Sequence, residues 1–249
     1  MKKGYFVHIP KTGGASIKNA LPDECLTKPN KEGMLNYIDA KAPAWWITGF
    51  GPGGSCKHLS PTFPFFYYIV DKTKYNGSFK FSFVRNPFDR AVSSYAHQKK
   101  AISRFYTKCV NENDQFKYST KFFPEFESIR SVVDLEELFS FSYFVSYLDK
   151  IFKYNKLMID DSHHLPQVFF THRRISENYF IKNIDFIGRF ENIEQDYWKV
   201  CKFLDVEPQK LSHLRKGDRG SYKDYYVDET RKIIEKLYRD DLYYFGYKF

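Results

Sequence analysis

Residues 4–21 constrain the chain most. Gly4 to Ile9 holds Tyr5, Phe6, Val7 and Ile9, all strand formers, and reads as a short buried strand. Pro10 ends it, Gly13-Gly14 follow, and Ala15 to Leu21 reads as a helix. Two adjacent glycines let the backbone bend so that successive N–H groups point at one spot. The following helix adds its N-terminal donors and its dipole. Lys11 supplies a point charge, and Thr12 and Ser16 supply hydroxyls. The segment is an anion cradle, or else a plain tight turn.

The order of residues narrows the choice. A nucleotide-hydrolysing P-loop places its lysine after the glycines, in G-x-x-x-x-G-K-[ST]. Here Lys11 precedes them, and no such loop occurs elsewhere in the sequence.

Downstream, Phe79 to Val84 reads as a second strand and Trp45 to Phe50 as a further candidate. Asn86 suits a helix cap, Pro87 its first position, and Asp89 its first turn. Phe88, Val92 and Tyr95 then share one helix face. Residues 105–130 carry no clear period, and about 100–160 is a candidate insertion or acceptor-side lid. Leu135 to Phe152 reads as helix and Asp185 to Gly188 as a short strand. Asn192, with Gln195 three residues on, opens another helix. Arg215 to Gly220 is a basic, glycine-bearing loop, and a last helix spans about Asp228 to Tyr244. Strands alternating with helices imply one α/β domain over 1–249 with a mostly parallel sheet. Ligands of such sheets bind beyond the carboxyl ends of the strands, where both the 10–16 loop and Arg85 fall.

The 39 basic and 30 acidic residues leave a net charge of +9, which favours polyanionic partners without choosing among them. The four cysteines are widely spaced with no CxxC, so no zinc site is expected; buried reduced thiols are, with one or two disulfides in a secretory lumen as the alternative. The most apolar run, Phe63 to Val70, is short and broken by Pro64, so no membrane span is expected. The N-terminus lacks the pattern of a signal peptide. Cytoplasmic residence follows, with the Golgi lumen as the alternative were an anchor removed.

A second segment reads Phe83-Val84-Arg85-Asn86-Pro87-Phe88-Asp89-Arg90-Ala91-Val92-Ser93-Ser94-Tyr95. Arg85 ends a strand, and Ser93 lies about two turns into the next helix. An arginine fork with a hydroxyl suits a second phosphate. HIPKTGGAS resembles the 5′-phosphosulfate loop, and FVRNPFDRAVSSY the 3′-phosphate motif, of sulfotransferases that use 3′-phosphoadenosine-5′-phosphosulfate (PAPS). IGRFENIEQDYWKVCKFLDV, SYKDYY and YYFGYKF resemble the carbohydrate branch related to heparan and chondroitin enzymes. The resemblance is weak over about 100–160.

The resemblance implies a P-loop-like three-layer fold and sulfuryl transfer from PAPS to a carbohydrate hydroxyl, releasing 3′-phosphoadenosine-5′-phosphate (PAP), without a metal. It implies that Lys11 contacts the bridging oxygen between phosphate and sulfate. Backbone N–H groups of Thr12, Gly13, Gly14, Ala15 and Ser16 would hold the 5′-phosphate, and Arg85 and Ser93 the 3′-phosphate. Arg215, Lys216, Gly217, Ser221, Tyr222 and Lys223 would close over the nucleotide. His58 is the candidate base, since its unperturbed pKa suits proton transfer near neutrality. His58, His97, His164 and Gln167 are candidates for the acceptor side, while His8 is expected in the core. A carboxylate from 125–137 is the alternative base. An anionic sugar suits the basic surface, and no nucleic-acid module is recognisable. A P-loop-type kinase and a non-catalytic polyanion binder are the competing classes.

Overall fold

The computed structural model describes residues 2–27, 72–111, 134, 137–153, 164–177, 179–212 and 220–249. Three parallel strands form the centre: β1 (Gly4–Val7), β2 (Phe79–Val84) and β5 (Phe186–Arg189). Their order is β1-β2-β5, so β2 is central. The register pairs Val7 with Ser82 and Val84 with Arg189. Helices α1 (Gly14–Ala20), α2 (Lys72–Asn76), α3 (Pro87–Asn111), α4 (Phe141–Lys153) and α5 (Val168–Thr171) precede an antiparallel hairpin of β3 (His172–Ser176) and β4 (Tyr179–Lys182). After β5 come α6 (Ile193–Leu204), α7 (Asp228–Leu237) and α8 (Arg239–Phe245). The expected α/β class with a central parallel sheet flanked by helices is what the chain adopts.

Strand alternation sends Tyr5 and Val7 to one face and Phe6 to the other. On the first face they meet Val84, Val168, Phe170, Phe180 and Phe245, so α5, α8 and the hairpin cover it. On the second, Phe81 and Phe83 pack with Ile17 of α1 and Tyr197, Val200 and Leu204 of α6. A third cluster joins α3, α4 and α7 through Phe88, Val92, Tyr95, Phe144, Leu148 and Ile234. Cys25 and Cys201 are buried free thiols in the second cluster, and burial pushes both above the ordinary thiol range. Among the described residues no helix is long and apolar enough to cross a membrane.

The sequence's local signals fix the start of α3. Asn86 Oδ1 accepts the Phe88 N–H at 3.0 Å, as a cap should. Elsewhere tertiary contacts move the expected boundaries. Asn192 makes no capping bond and instead closes a 3₁₀ turn, Phe190–Asn192, that leads into α6. The helix expected from Leu135 is helical at Glu137 and Leu138 but is interrupted at Phe139–Ser140 before α4 starts at Phe141, where Phe139 turns into the core and Ser140 Oγ accepts the Tyr143 N–H at 3.1 Å. The expected terminal helix is two helices broken at Tyr238, whose buried hydroxyl donates to the His164 carbonyl at 2.9 Å. The β3–β4 hairpin has no counterpart in the sequence reading. Trp45–Phe50 lies outside the described residues.

The break at Tyr238 precedes a buried acid. Asp241 is fully buried and accepts from the Gln167 and Val168 N–H groups, each at 2.8 Å. It thereby satisfies donors at the start of α5, which would otherwise be orphaned. Burial raises its pKa to about 6, opposed by the Arg90 charge and these hydrogen bonds. Asp241→Ala leaves those donors unmet, so urea unfolding should show a loss of about 3 kcal/mol. Asp241→Asn, which keeps one acceptor, should recover part of that loss.

His172 behaves oppositely. Burial, aided by the Lys182 charge, lowers its pKa to about 4. The unfolded chain therefore binds a proton there that the folded chain does not. The stabilisation is complete above pH ~6.5 and is lost as pH falls through 4, on the order of 2–3 kcal/mol. In His172→Gln, the fall of stability measured between those limits should be shallower than in wild type.

Candidate active site

The loop after β1 is held from the protein side at three consecutive carbonyls. Thr12 Oγ1 donates to Ile9 O at 2.9 Å, Arg90 Nε to Pro10 O at 3.1 Å, and Arg85 Nη1 to Lys11 O at 3.1 Å. All peptides here are trans, so the Lys11 and Thr12 N–H groups point away from the captured carbonyls. Lys11 itself sits at φ 69°, in the left-handed region that a side chain rarely occupies. The three bonds hold that strained geometry in place.

Gly13 and Gly14 are required for different reasons. Gly13 adopts φ +83°, and a Cβ there would lie 2.5 Å from Ile193. At Gly14 a Cβ would lie 2.1 Å from the His8 ring. His8 thus packs against the loop's exit. Among the described residues no acceptor is bonded to the N–H of Thr12, Gly13, Gly14 or Ala15. The Ser16 N–H is already engaged with Gly13 O at 3.0 Å, so it departs from the expected set. Four successive N–H groups that no described acceptor takes are donors that an anion would satisfy.

Arg85 ends β2 beside this loop and is buried at 6% exposure. Its Nε and Nη2 both lie 2.7 Å from Asp89 Oδ2, and its guanidinium stacks 4.0 Å from the Phe190 ring centre. Phe190 also faces Gly13, so the turn after β5 walls the same cleft. Asp89, Ser93 and His97 follow one another at helical spacing on α3, with Ser93 and His97 half-buried. Glu191 accepts the Asn86 N–H at 2.7 Å and the Tyr247 hydroxyl at 2.8 Å. Burial and the Glu191 charge hold the Tyr247 hydroxyl above the usual phenol range. The Tyr222 hydroxyl is raised too, by burial and then by the Asp89 and Glu191 charges, and its ring lies 6.0 Å edge-on from Phe249.

The structure therefore brings Lys11, Thr12, Gly13, Gly14, Ala15 and Arg85 together beyond the ends of β1 and β2, while Ser93 follows two turns along α3 and Tyr222 packs in a turn against the Phe88 cluster. Ser221 caps a short turn by accepting the Lys223 N–H, and the Lys223 ammonium lies 5.2 Å from the Phe249 ring. Tyr226 O–H donates to Phe88 O at 2.9 Å, fastening this segment to α3. His58, Arg215, Lys216 and Gly217 lie outside the described residues.

Two residues expected on the acceptor side take a different place. Gln167 is fully buried: its Oε1 accepts the Arg85 N–H and its Nε2 donates to Arg85 O, both at 2.8 Å. It extends the end of β2 as a strand neighbour would, and it acts as a brace because both ends of its amide are engaged internally. His164 is 3% exposed, with Nε2 2.6 Å from Gln98 Nε2. Its ring packs between α3 and α4 and meets Gln98 through Nε2.

Sequence reasoning missed Asp89, Arg90 and Asp241. The Arg85–Asp89 spacing of four residues was a usable signal. Arg90 and Asp241 had none, since a charge on an amphipathic helix ordinarily faces solvent.

A glycine loop with four N–H groups that no described acceptor takes, set at the carboxyl edge of a parallel sheet beside a buried arginine, is the candidate site of this α/β protein. The sequence model of the Sulfotransferase family matches residues 3–248, and the chain belongs to that family. No curated protein sequence matches it. Among solved structures, a sulfotransferase from Alicyclobacillus acidocaldarius is similar over 98% of this chain and 94% of its own, with 15% identity and a TM-score of 0.32. That likeness adds nothing to the site's geometry.

The contact between Gly14 and His8 is open to a double-mutant cycle. Gly14→Ala should destabilise the protein by about 1–3 kcal/mol through overpacking. In a His8→Ala background the same change should cost clearly less, because the colliding ring is gone. Equal costs in both backgrounds would remove this account of Gly14.

Proposed function

We propose that the chain transfers a sulfuryl group from PAPS to a carbohydrate hydroxyl and releases PAP. The observation that supports this best is that Arg85 lies against the glycine loop, its Nη1 3.1 Å from Lys11 O at one sheet edge. In this reading the 12–15 N–H groups serve one phosphate, and Arg85 with Ser93, two turns along α3, a second. Two sites suit a 3′,5′-bisphosphate donor, and family membership supports sulfuryl transfer in general.

In this reading the N–H groups of Thr12 to Ala15 hold the 5′-phosphate. Arg85 and Ser93 hold the 3′-phosphate, with Asp89 fixing the plane of the guanidinium. Tyr222 and Lys223 flank the nucleotide. The hydroxyl oxygen of the acceptor bonds to sulfur while the sulfur–oxygen bond to phosphate breaks in line. Lys11 stabilises the charge left on the phosphate oxygen. The hydroxyl proton passes to a base, for which His58 is the candidate. Orientation and electrostatics supply the rate, as in phosphoryl transfer. A saccharide acceptor and cytoplasmic residence belong to the proposal, the first resting on the resemblance to carbohydrate enzymes.

A kinase and a passive polyanion binder predict different behaviour. A sulfotransferase should bind PAP more tightly than ADP, and should label a glycan from radiolabelled PAPS. Lys11→Ala should reduce kcat by about 100-fold or more, the scale of losing one transition-state contact. Its PAP dissociation constant should change far less. Preference for ADP, or no labelled product across a glycan panel together with no PAP binding, would sink the proposal.

A further inference from the structure

Arg90 is 2% exposed, yet it has no place in the reaction as described. Its guanidinium spans two separate pieces of chain. Nε donates to Pro10 O in the donor loop at 3.1 Å, and Nη1 donates to Leu165 O at 2.9 Å. The second piece, residues 164–167, is otherwise hung on α3 and on the C-terminal helices. Gln98 meets the His164 ring, the Tyr238 hydroxyl meets His164 O, and Asp241 meets the Gln167 N–H. Gln167 in turn clasps Arg85, which holds Lys11 O. The donor loop and the 164–167 segment are therefore fixed to each other through one planar cation, and through a second path by way of Arg85.

A guanidinium presents its donors in a rigid fork, so moving one captured carbonyl tilts the plane that serves the other. A lysine at this position would bring a point charge with no such fork. We propose that Arg90 is a positioning residue that ties the donor loop to the 164–171 stretch, so that occupation of the loop by a phosphate is transmitted to that stretch. This rests on the loop being the phosphate site argued above.

The test is hydrogen–deuterium exchange of the full chain with and without PAP. In wild type, PAP should slow exchange in peptides covering the 11–17 loop and also in those covering 164–171. Slowing by about fivefold or more in the second region corresponds to an ordinary coupling between sites. In Arg90→Lys, PAP should still slow the loop peptides while the effect at 164–171 falls by about half or more, the Arg85–Gln167 path carrying the remainder. A purely structural role for Arg90 would raise exchange with and without PAP and leave the PAP-induced difference in place. Retention of more than about half of that difference in Arg90→Lys overturns the proposal. So does protection in wild type confined to the loop, a result that stands even if the variant fails to fold. Absence of PAP protection anywhere in wild type removes the donor site itself, and is recognised by the unprotected loop.

Discussion

Ile9, Pro10 and Lys11 turn three successive carbonyls toward the protein, and each is taken by a different donor: Thr12 Oγ1, Arg90 Nε and Arg85 Nη1. Planar trans peptides convert that capture into orientation, because a carbonyl fixed on one side sends the next N–H to the other. The course of the loop is thus set by what lies beneath it. The left-handed Lys11 and Gly13 are the backbone consequence, and Phe190 and Ile193 lie so near Gly13 that a Cβ there would collide with them.

Those captures place two arginines in the interior, where an uncompensated charge is costly. Each is compensated within the same network. Arg85 lies against Asp89 and stacks on Phe190, while Arg90 spends its donors on carbonyls within electrostatic reach of the buried Asp241. Asp241 itself is satisfied by the first N–H groups of α5. The opposing pulls on it are visible in its pKa of about 6: burial drives the value up, and Arg90 and the hydrogen bonds restrain it. A network in which every member has a partner rigidifies, and one missing member is expensive. This is why the C-terminal helix, distant in sequence, belongs to the foundation of the site.

Much of this was legible before folding. The strand–loop–helix at the N-terminus, the capped α3 and the strand at 186–189 follow from local pattern, and each formed where its residues indicated. Lys11, Gly13, Gly14 and Arg85 were identifiable because their chemistry is written in adjacent residues. Gln167 and His164 were noticed but given to the acceptor side, since a polar side chain after a loop reads the same whether it faces a ligand or the interior. The hairpin at 172–182 passed unnoticed. Its strands are short, and only Phe180 and His172 turn inward, so no alternation announces them.

The sheet-forming segments, the glycine loop after β1 and the arginine that follows β2 are written in local residues. These depend on local backbone preference and on the order of neighbouring residues. Long-range packing is what makes Arg90 and Asp241 interior, has Gln167 brace Arg85, and breaks the terminal helix at Tyr238. Each of those depends on hydrogen bonds between residues about 70–80 positions apart. Whether a charge on an amphipathic helix meets water or a buried carbonyl is a property of what packs over it, and no local pattern encodes that partner.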